Sequence, residues 1–314
     1  MENKRNIALL FPGQGSQSVG MGRDLYRAYP TVREVFEECS DRCSMDLAAL
    51  CFKGPRSKLN ATENTQPVIF VLSIAVYRVL AEHGLTPRWV AGHSLGEITA
   101  MTAVGCMDLA KGFDLVHERG RLMAEALAGK GSTMAAIEGI STEVIEGWLA
   151  KLDDSAWIAN RNAPTQTILS GTKTALNRLM EQVRLANGKF TLLPVSGAFH
   201  SPLLADAATA FARVIDDIPL REPACPVIGN VQAIPLTTEV DIRAELRAQM
   251  CSPVRWADTL TWLRAAGANL LFVEVGYGKM LKGLLLRNIR DARCLTTETP
   301  HDIDALLQYV ESST

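Results

Sequence analysis

The chain has 314 residues, of which 47% are apolar and 21% charged, with a formal net charge of −2 at neutral pH. This composition suits one large globular domain or a domain carrying an insertion, and the near-neutral charge excludes a global field that draws the protein to nucleic acid or an anionic membrane. Its seven cysteines are odd in number, scattered and without a Cys-x-x-Cys pair, so reduced thiols packed as small apolar residues are expected.

Residues 7–11 form a short apolar run stopped by Pro12-Gly13, which reads as a buried parallel strand entering a loop. The run is too short for a signal-peptide core, and Glu2, Lys4 and Arg5 are the charges before it; a cytoplasmic protein is expected. Residues 68–81 are apolar around most of the circumference and predict a buried helix. Their longest apolar stretch, 68–76, is followed closely by Arg78 and is too short to cross a bilayer. Residues 89–91 predict a strand running into Gly92, and 95–104 a helix of small and apolar residues. Residues 112–127 predict an amphipathic helix with Arg119 and Arg121 on different faces.

The stretch 131–197 reads as a unit of its own. Strands are predicted at 134–138, 157–160, 167–170 and 190–195. Helices are predicted at 142–152 and from a Thr172 cap to 186, closed by Gly188. That order is β-α-β-β-α-β, the ferredoxin-like split unit. The expected organisation is therefore a large α/β subdomain from 1–130 and 198–314, with a small ferredoxin-like subdomain inserted at 131–197. Further strands at 227–230 and 270–275 and a helix at 279–290 continue an alternating pattern, which argues for a mostly parallel sheet covered on both faces.

Gly92-His93-Ser94-Leu95-Gly96 fits Gly-x-Ser-x-Gly, with a strand before the serine and a helix after it as that motif requires. The sharp turn needs the glycines, and the helix N-terminus sets free N–H groups beside the Ser94 hydroxyl, where an oxyanion develops. A serine of ordinary pKa needs a base, and five histidines are available. His83 falls at a helix C-terminus, His117 on an amphipathic helix and His301 in the C-terminal tail. His93 diverges from its neighbour in so tight a turn. His200, in a loop past a strand end, is the preferred base. Its orienting partner stays open between Asp206, Asp258 and a backbone carbonyl. The loop 12–17 lacks both the third glycine of a dinucleotide fingerprint and the lysine of a P-loop. It reads instead as a source of an N–H for the oxyanion. No His, Cys, Asp or Glu cluster has metal-ligand spacing.

These residues occur in an order that resembles the malonyl-CoA:acyl-carrier-protein transacylases and the acyltransferases of polyketide synthases. The resemblance spans nearly the whole chain. It rests on Phe11-Pro12-Gly13-Gln14-Gly15-Ser16-Gln17, Thr65-Gln66-Pro67, Gly92-His93-Ser94-Leu95-Gly96-Glu97, Arg119-Gly120, Met123, Asn160-Arg161-Asn162, Phe199-His200 and Pro253-Val254-Arg255-Trp256. It implies a hydrolase-like α/β fold, Ser94 as nucleophile and His200 as general base. It also implies an oxyanion hole from the backbone N–H groups of Gln14 and Leu95, with the Arg255 carbonyl orienting His200. Arg119 would pair with the free carboxylate of a malonyl group. Phe199 would crowd a branched acyl chain, and Gln66 and Asn162 would line the cleft.

The implied reaction carries malonyl from coenzyme A, the substrate, to the phosphopantetheine thiol of an acyl carrier protein, with no bound cofactor. Neither nucleic acid nor a membrane is an expected partner. Lys279, Lys282, Arg287, Arg290 and Arg293 fall on one side of the predicted C-terminal helix and suggest a landing site for an acidic carrier, weighed against an ordinary solvated face. The alternatives are an acyl hydrolase of the same fold, a transferase for a different acyl group such as a malonate decarboxylase subunit, and a non-catalytic subunit that docks carriers.

Overall fold

A computed structural model describes residues 6–152 and 155–312; Glu2, Lys4 and Arg5 lie outside them. In chain order the strands are β1 (Ile7–Phe11), β2 (Trp89–Gly92), β3 (Ser132–Glu138), β4 (Ala156–Ala163), β5 (Gln166–Thr172), β6 (Lys189–Leu192), β7 (Val227–Ile228), β8 (Pro235–Leu236), β9 (Leu271–Glu274) and β10 (Arg293–Thr296). One sheet has the order β10-β9-β1-β2-β7-β8. It is parallel from β10 to β7, and the short edge strand β8 runs antiparallel.

β1 sits inside this sheet with all five residues buried, which is why its sequence is continuously apolar rather than alternating. Its side chains still alternate between faces. Ile7, Leu9 and Phe11 join a core with the helices Thr62–Glu82 and Leu109–Leu127. Ala8 and Leu10 join a second core with Trp256, Leu260, Leu281 and Leu285, from the helices Trp256–Ala266 and Met280–Asn288.

The second sheet is antiparallel with the order β4-β5-β3-β6. The helices Thr142–Leu149 and Lys173–Leu185 pack on it through Ile145, Leu176, Leu179 and Val183. The strand and helix order of residues 131–197 follows the sequence expectation. A parallel bridge between Asn160 and Val254 joins this unit to the larger one, with Val254 N–H donating to Ala159 O at 2.8 Å and Arg161 N–H to Val254 O at 2.9 Å.

Several boundaries differ from the sequence reading. The first long helix begins at Thr62, ahead of Pro67, because Asn64 Nδ2 donates to Lys58 O and Thr65 Oγ1 to Leu59 O, fixing the first turn to the preceding segment. At 21 residues it is long and apolar enough to cross a membrane, yet 83% of its most apolar window is buried inside the protein. Helix Leu109–Leu127 starts earlier than expected, at an Asp108 cap that accepts from Lys111 N–H at 2.8 Å. β6 ends at Leu192 rather than reaching 195.

The parallel register pairs Phe11 with Gly92, so the loops leaving β1 and β2 emerge side by side. A Cβ on Gly92 would lie 1.9 Å from the Gly96 carbonyl, and a Cβ on Gly96 would lie 2.0 Å from Phe11 O. The turn after β2 thus closes only when both positions lack a side chain. Gly96→Ala should therefore destabilise the protein by about 3 kcal/mol or more, since backbone atoms cannot yield as a side chain does. A denaturant midpoint equal to that of the parent protein would contradict the packing of this turn.

Candidate active site

Ser94 stands at the C-terminal edge of the parallel sheet, between β2 and the helix Leu95–Ala103. Its backbone is left-handed, with φ 54° and ψ −110°. That conformation costs a non-glycine residue about 1–3 kcal/mol and lifts the hydroxyl clear of strand and helix. Asn230 clamps the turn on both sides: its Oδ1 accepts from Ser94 N–H at 2.8 Å and its Nδ2 donates to Gly92 O at 2.7 Å.

His200 lies in the segment that leads from β6 back into the larger unit, and it too has positive φ, at 53°. Its Nε2 is 2.6 Å from Ser94 Oγ. Its Nδ1 faces two backbone carbonyls, Gln249 O at 3.1 Å and Ser252 O at 3.0 Å. Both are acceptors, so Nδ1 carries the proton and Nε2 is left free to take one from the serine. The Arg255 carbonyl, expected in this role, instead accepts Thr259 N–H as the helix Trp256–Ala266 begins. Asp258 binds the Arg255 side chain at 2.7 Å, and Asp206 is exposed at the start of helix Ala205–Asp216.

The other histidines take separate places. His83 caps the helix Thr62–Glu82 through Val79 O, and His117 stacks on Phe113. His301 is exposed in the helix Pro300–Ser312. His93 turns away from Ser94 to meet Asn162 Oδ1 at 3.0 Å and packs edge-on against Trp256.

Arg119 reaches the serine from helix Leu109–Leu127. Gly120 beside it lets this helix approach the start of helix Thr62–Glu82, where an added Cβ would lie 3.1 Å from Thr62 O. The guanidinium is 1% exposed and has only neutral partners. Nη1 donates to Gln66 Oε1 and Nη2 to Gln249 Oε1, both at 2.8 Å, and Nη2 also donates to Ser94 Oγ at 3.1 Å. Nε has no partner. Burial lowers the Arg119 pKa to about 10, which leaves it charged at neutral pH. Burial first, and the Arg119 charge second, pull His200 down to about 3, so this imidazole is neutral in the resting site and its Nε2 is free to accept a proton.

A cavity of about 90 Å³ opens onto Ser94, His200 and Arg119, and Gln14, Gln66, Leu95 and Phe199 also line it. Asn162 is not in its wall as expected; Asn160 is. β4 has register irregularities between Ile158 and Asn160 and between Arg161 and Ala163, and such bulges re-aim side chains. The basic stripe is also broken up. Lys279 pairs with Glu298 and Arg287 with Glu138, while Arg290 lies beyond the helix and Arg293 stacks on Tyr309 from β10. Lys282 is half-buried. A wider surface depression of about 700 Å³ is lined by Tyr26, Glu37, Ser40, Asp41 and Met45, and neither Ser94, His200 nor Arg119 belongs to its wall.

Sequence reasoning missed Asn230 and Gln249. Gln249 closes the helix Glu239–Gln249 and serves four groups: its carbonyl takes His200 Nδ1–H, its Oε1 takes Arg119, and its Nε2 donates to Ser94 O at 2.9 Å and to Glu97 Oε2. The sequence around either residue carries no motif that marks it.

An acyl transferase domain family model matches residues 8–297. The chain is 36% identical over 310 residues to a malonyl CoA-acyl carrier protein transacylase of Bacillus subtilis, covering 97% of each chain. It superposes with a TM-score of 0.93 on the malonyl CoA-acyl carrier protein transacylase of Coxiella burnetii, at 34% identity and 96% coverage of both chains. A malonyl-transacylase solved in complex with a type II polyketide synthase acyl-carrier protein matches with a TM-score of 0.93, at 34% identity, covering 96% of this chain and 99% of that one.

The low His200 pKa has a measurable consequence. Labelling of Ser94 by an uncharged fluorophosphonate should stay flat from neutral pH down to about pH 5, because the base is still unprotonated there. Arg119→Met should move the acidic limb upward, since it removes a charge that opposes protonation. An acidic limb near the ordinary histidine value of 6.5 in the parent protein would contradict this electrostatic arrangement.

Proposed function

This chain belongs to the acyl transferase domain family, and from that premise we propose that it transfers a malonyl group from coenzyme A to the phosphopantetheine thiol of an acyl carrier protein. The observation that carries the reading is the buried Arg119 guanidinium, 3.1 Å from Ser94 Oγ and without a carboxylate partner. A neutral acyl chain would leave that charge as it is, whereas a malonyl carboxylate would supply its missing anion.

The reaction runs in two halves. His200 Nε2 takes the Ser94 proton as Oγ adds to the thioester carbonyl. The oxyanion is received by the backbone N–H groups of Gln14 and Leu95, the latter heading the helix Leu95–Ala103. Collapse expels the coenzyme A thiolate, which takes the proton from His200, and malonyl stays as an ester on Ser94. The carrier thiol then gives its proton to His200 and attacks the ester; the Ser94–acyl bond breaks and the departing Ser94 oxygen takes the proton back from His200. Gln66 steadies Arg119, and Phe199 limits the width of the acyl pocket. Gln249 and Ser252, rather than Arg255, hold the imidazole.

The strand order of the small unit supports reading 131–197 as a ferredoxin-like subdomain inserted in a hydrolase-like one made of 1–130 and 198–314. The seven scattered cysteines, five of them buried, are in keeping with a cytoplasmic protein. We place carrier docking at Lys279, Lys282 and Arg287 beside the helix Met280–Asn288, with the ion pair between Arg287 and Glu138 opened as the carrier arrives.

Mixing the protein with malonyl-CoA should give a malonyl adduct by intact mass, absent in Ser94→Ala and passed on to a holo carrier protein. Rapid release of malonate without a carrier would instead establish a hydrolase. Arg119→Met should lower kcat/KM for malonyl-CoA about a hundred- to a thousandfold, the cost of removing one member of a buried charge pair, while acetyl-CoA turnover falls far less. Equal losses on both substrates would refute the role given to Arg119. Lys282→Glu should raise the KM for the carrier and leave the coenzyme A half-reaction unchanged; an unaltered carrier KM would remove Lys282 from the docking surface.

A further inference from the structure

Behind the serine turn, two carboxyl groups are buried against each other. Glu97 comes from the helix Leu95–Ala103 and Glu245 from the helix Glu239–Gln249; they are 0% and 6% exposed, and their carboxyl groups meet adjacent backbone N–H groups. Glu97 Oε1 accepts from Asn230 N–H and Glu245 Oε1 from Val231 N–H, each at 2.7 Å. Two carboxyl groups this close in a dry setting do not both ionise; they hold a proton between them and carry one negative charge. Burial raises both pKa values, which fits that shared proton.

The charge has a direct route to the active site. Glu97 Oε2 accepts from Gln249 Nε2, and Gln249 Oε1 accepts from Arg119 Nη2 at 2.8 Å. Arg119 in turn feels Glu97 electrostatically. One amide therefore stands between a cation that lacks a carboxylate partner and a carboxyl pair that lacks a cation. The reaction described above uses neither carboxyl, and a well-packed apolar residue at 97 would be buried at lower cost.

We propose that the singly charged Glu97–Glu245 pair is the resting counter-ion of Arg119, and that a carboxylated acyl group arriving at Arg119 makes this pair take up a proton from solvent. The inference rests on the reading that Arg119 receives the acyl carboxylate. The charge balance is the same before and after binding. At rest the guanidinium carries +1 and the pair −1. With substrate bound, the guanidinium carries +1, the acyl carboxylate −1 and the pair is neutral. The complex then holds more protons than the free protein, so affinity for malonyl-CoA rises as pH falls.

The other titratable groups in this buried region are His93 and His200, both held neutral by burial. Asn230 and Val231 present their backbone N–H groups to the pair. Arg243 and Arg247 of the Glu245 helix turn outward to Ile215 O and to Asp216. Because Arg119 also acts on His200, proton uptake by that imidazole has to be separated from uptake by the pair.

Calorimetry of malonyl-CoA binding to the Ser94→Ala protein, run at neutral pH in phosphate and in imidazole buffers, separates them. The difference in heat between buffers should report up to about one proton taken up per malonyl-CoA, and none for acetyl-CoA. Adding His200→Ala should leave the uptake in place. Adding Glu245→Gln or Glu97→Gln, in whichever variant keeps the parent circular dichroism, should abolish it. Malonyl-CoA that binds more tightly than acetyl-CoA with no buffer dependence would overturn the proposal and leave the Arg119 reading intact. Uptake lost with His200→Ala and kept in a glutamine variant would also overturn it. Malonyl-CoA that binds no more tightly than acetyl-CoA would sink the Arg119 reading itself.

Discussion

A guanidinium held out of water is the constraint around which the rest of this site is arranged. An ion moved into a protein interior loses several kcal/mol of hydration that a few neutral hydrogen bonds do not restore. Arg119 meets two amide oxygens and a hydroxyl, and keeps Nε unpaired. Its neighbours answer to it. His200 is kept neutral first by burial and then by that charge, which leaves its Nε2 unprotonated. Ser94 Oγ accepts from Arg119 while donating to His200, so its hydrogen-bonding capacity is used on both sides. Gln66 and Gln249 point their oxygens, not their nitrogens, at the cation.

Keeping such a charge near a nucleophile requires a stiff frame, and the parallel sheet supplies it. Loops leaving β1 and β2 emerge together because those strands pair in register, and His93 N–H donates to Phe11 O at 3.0 Å to tie them. Ser94 and His200, whose Oγ and Nε2 lie 2.6 Å apart, both sit at positive φ. Strain of this kind persists only where surrounding contacts over-determine it. Asn230 and Gln249 provide those contacts at the serine, and the carbonyls of Gln249 and Ser252 provide them at the histidine.

The smaller sheet completes the cavity from the opposite side. Asn160 lines it from β4 and Met134 from β3, while Phe199 follows β6. The unit is attached by the bridge at Val254, by Arg287 to Glu138, and by Asn288 Nδ2 to Asn162 O at 2.8 Å. Two of these three ties come from the helix Met280–Asn288, where we place carrier docking.

The alternation of strands and helices, the serine turn and the placing of His200 beside Ser94 were legible in the chain's own pattern. These are written in short-range pattern: apolar runs ended by glycine and proline, Gly-x-Ser-x-Gly between a strand and a helix, and five histidines few enough to sort. The fates of Asn162, Arg255 and the basic stripe were decided only by tertiary structure. A bulge in β4 sent Asn162 to His93, the start of a helix claimed the Arg255 carbonyl, and acidic partners absorbed Lys279 and Arg287. Asn230 and Gln249 were invisible for a related reason. Their partners at the serine turn lie 136 and 155 residues away, and a buried amide that works through contacts so distant leaves no periodicity, spacing or local motif to read.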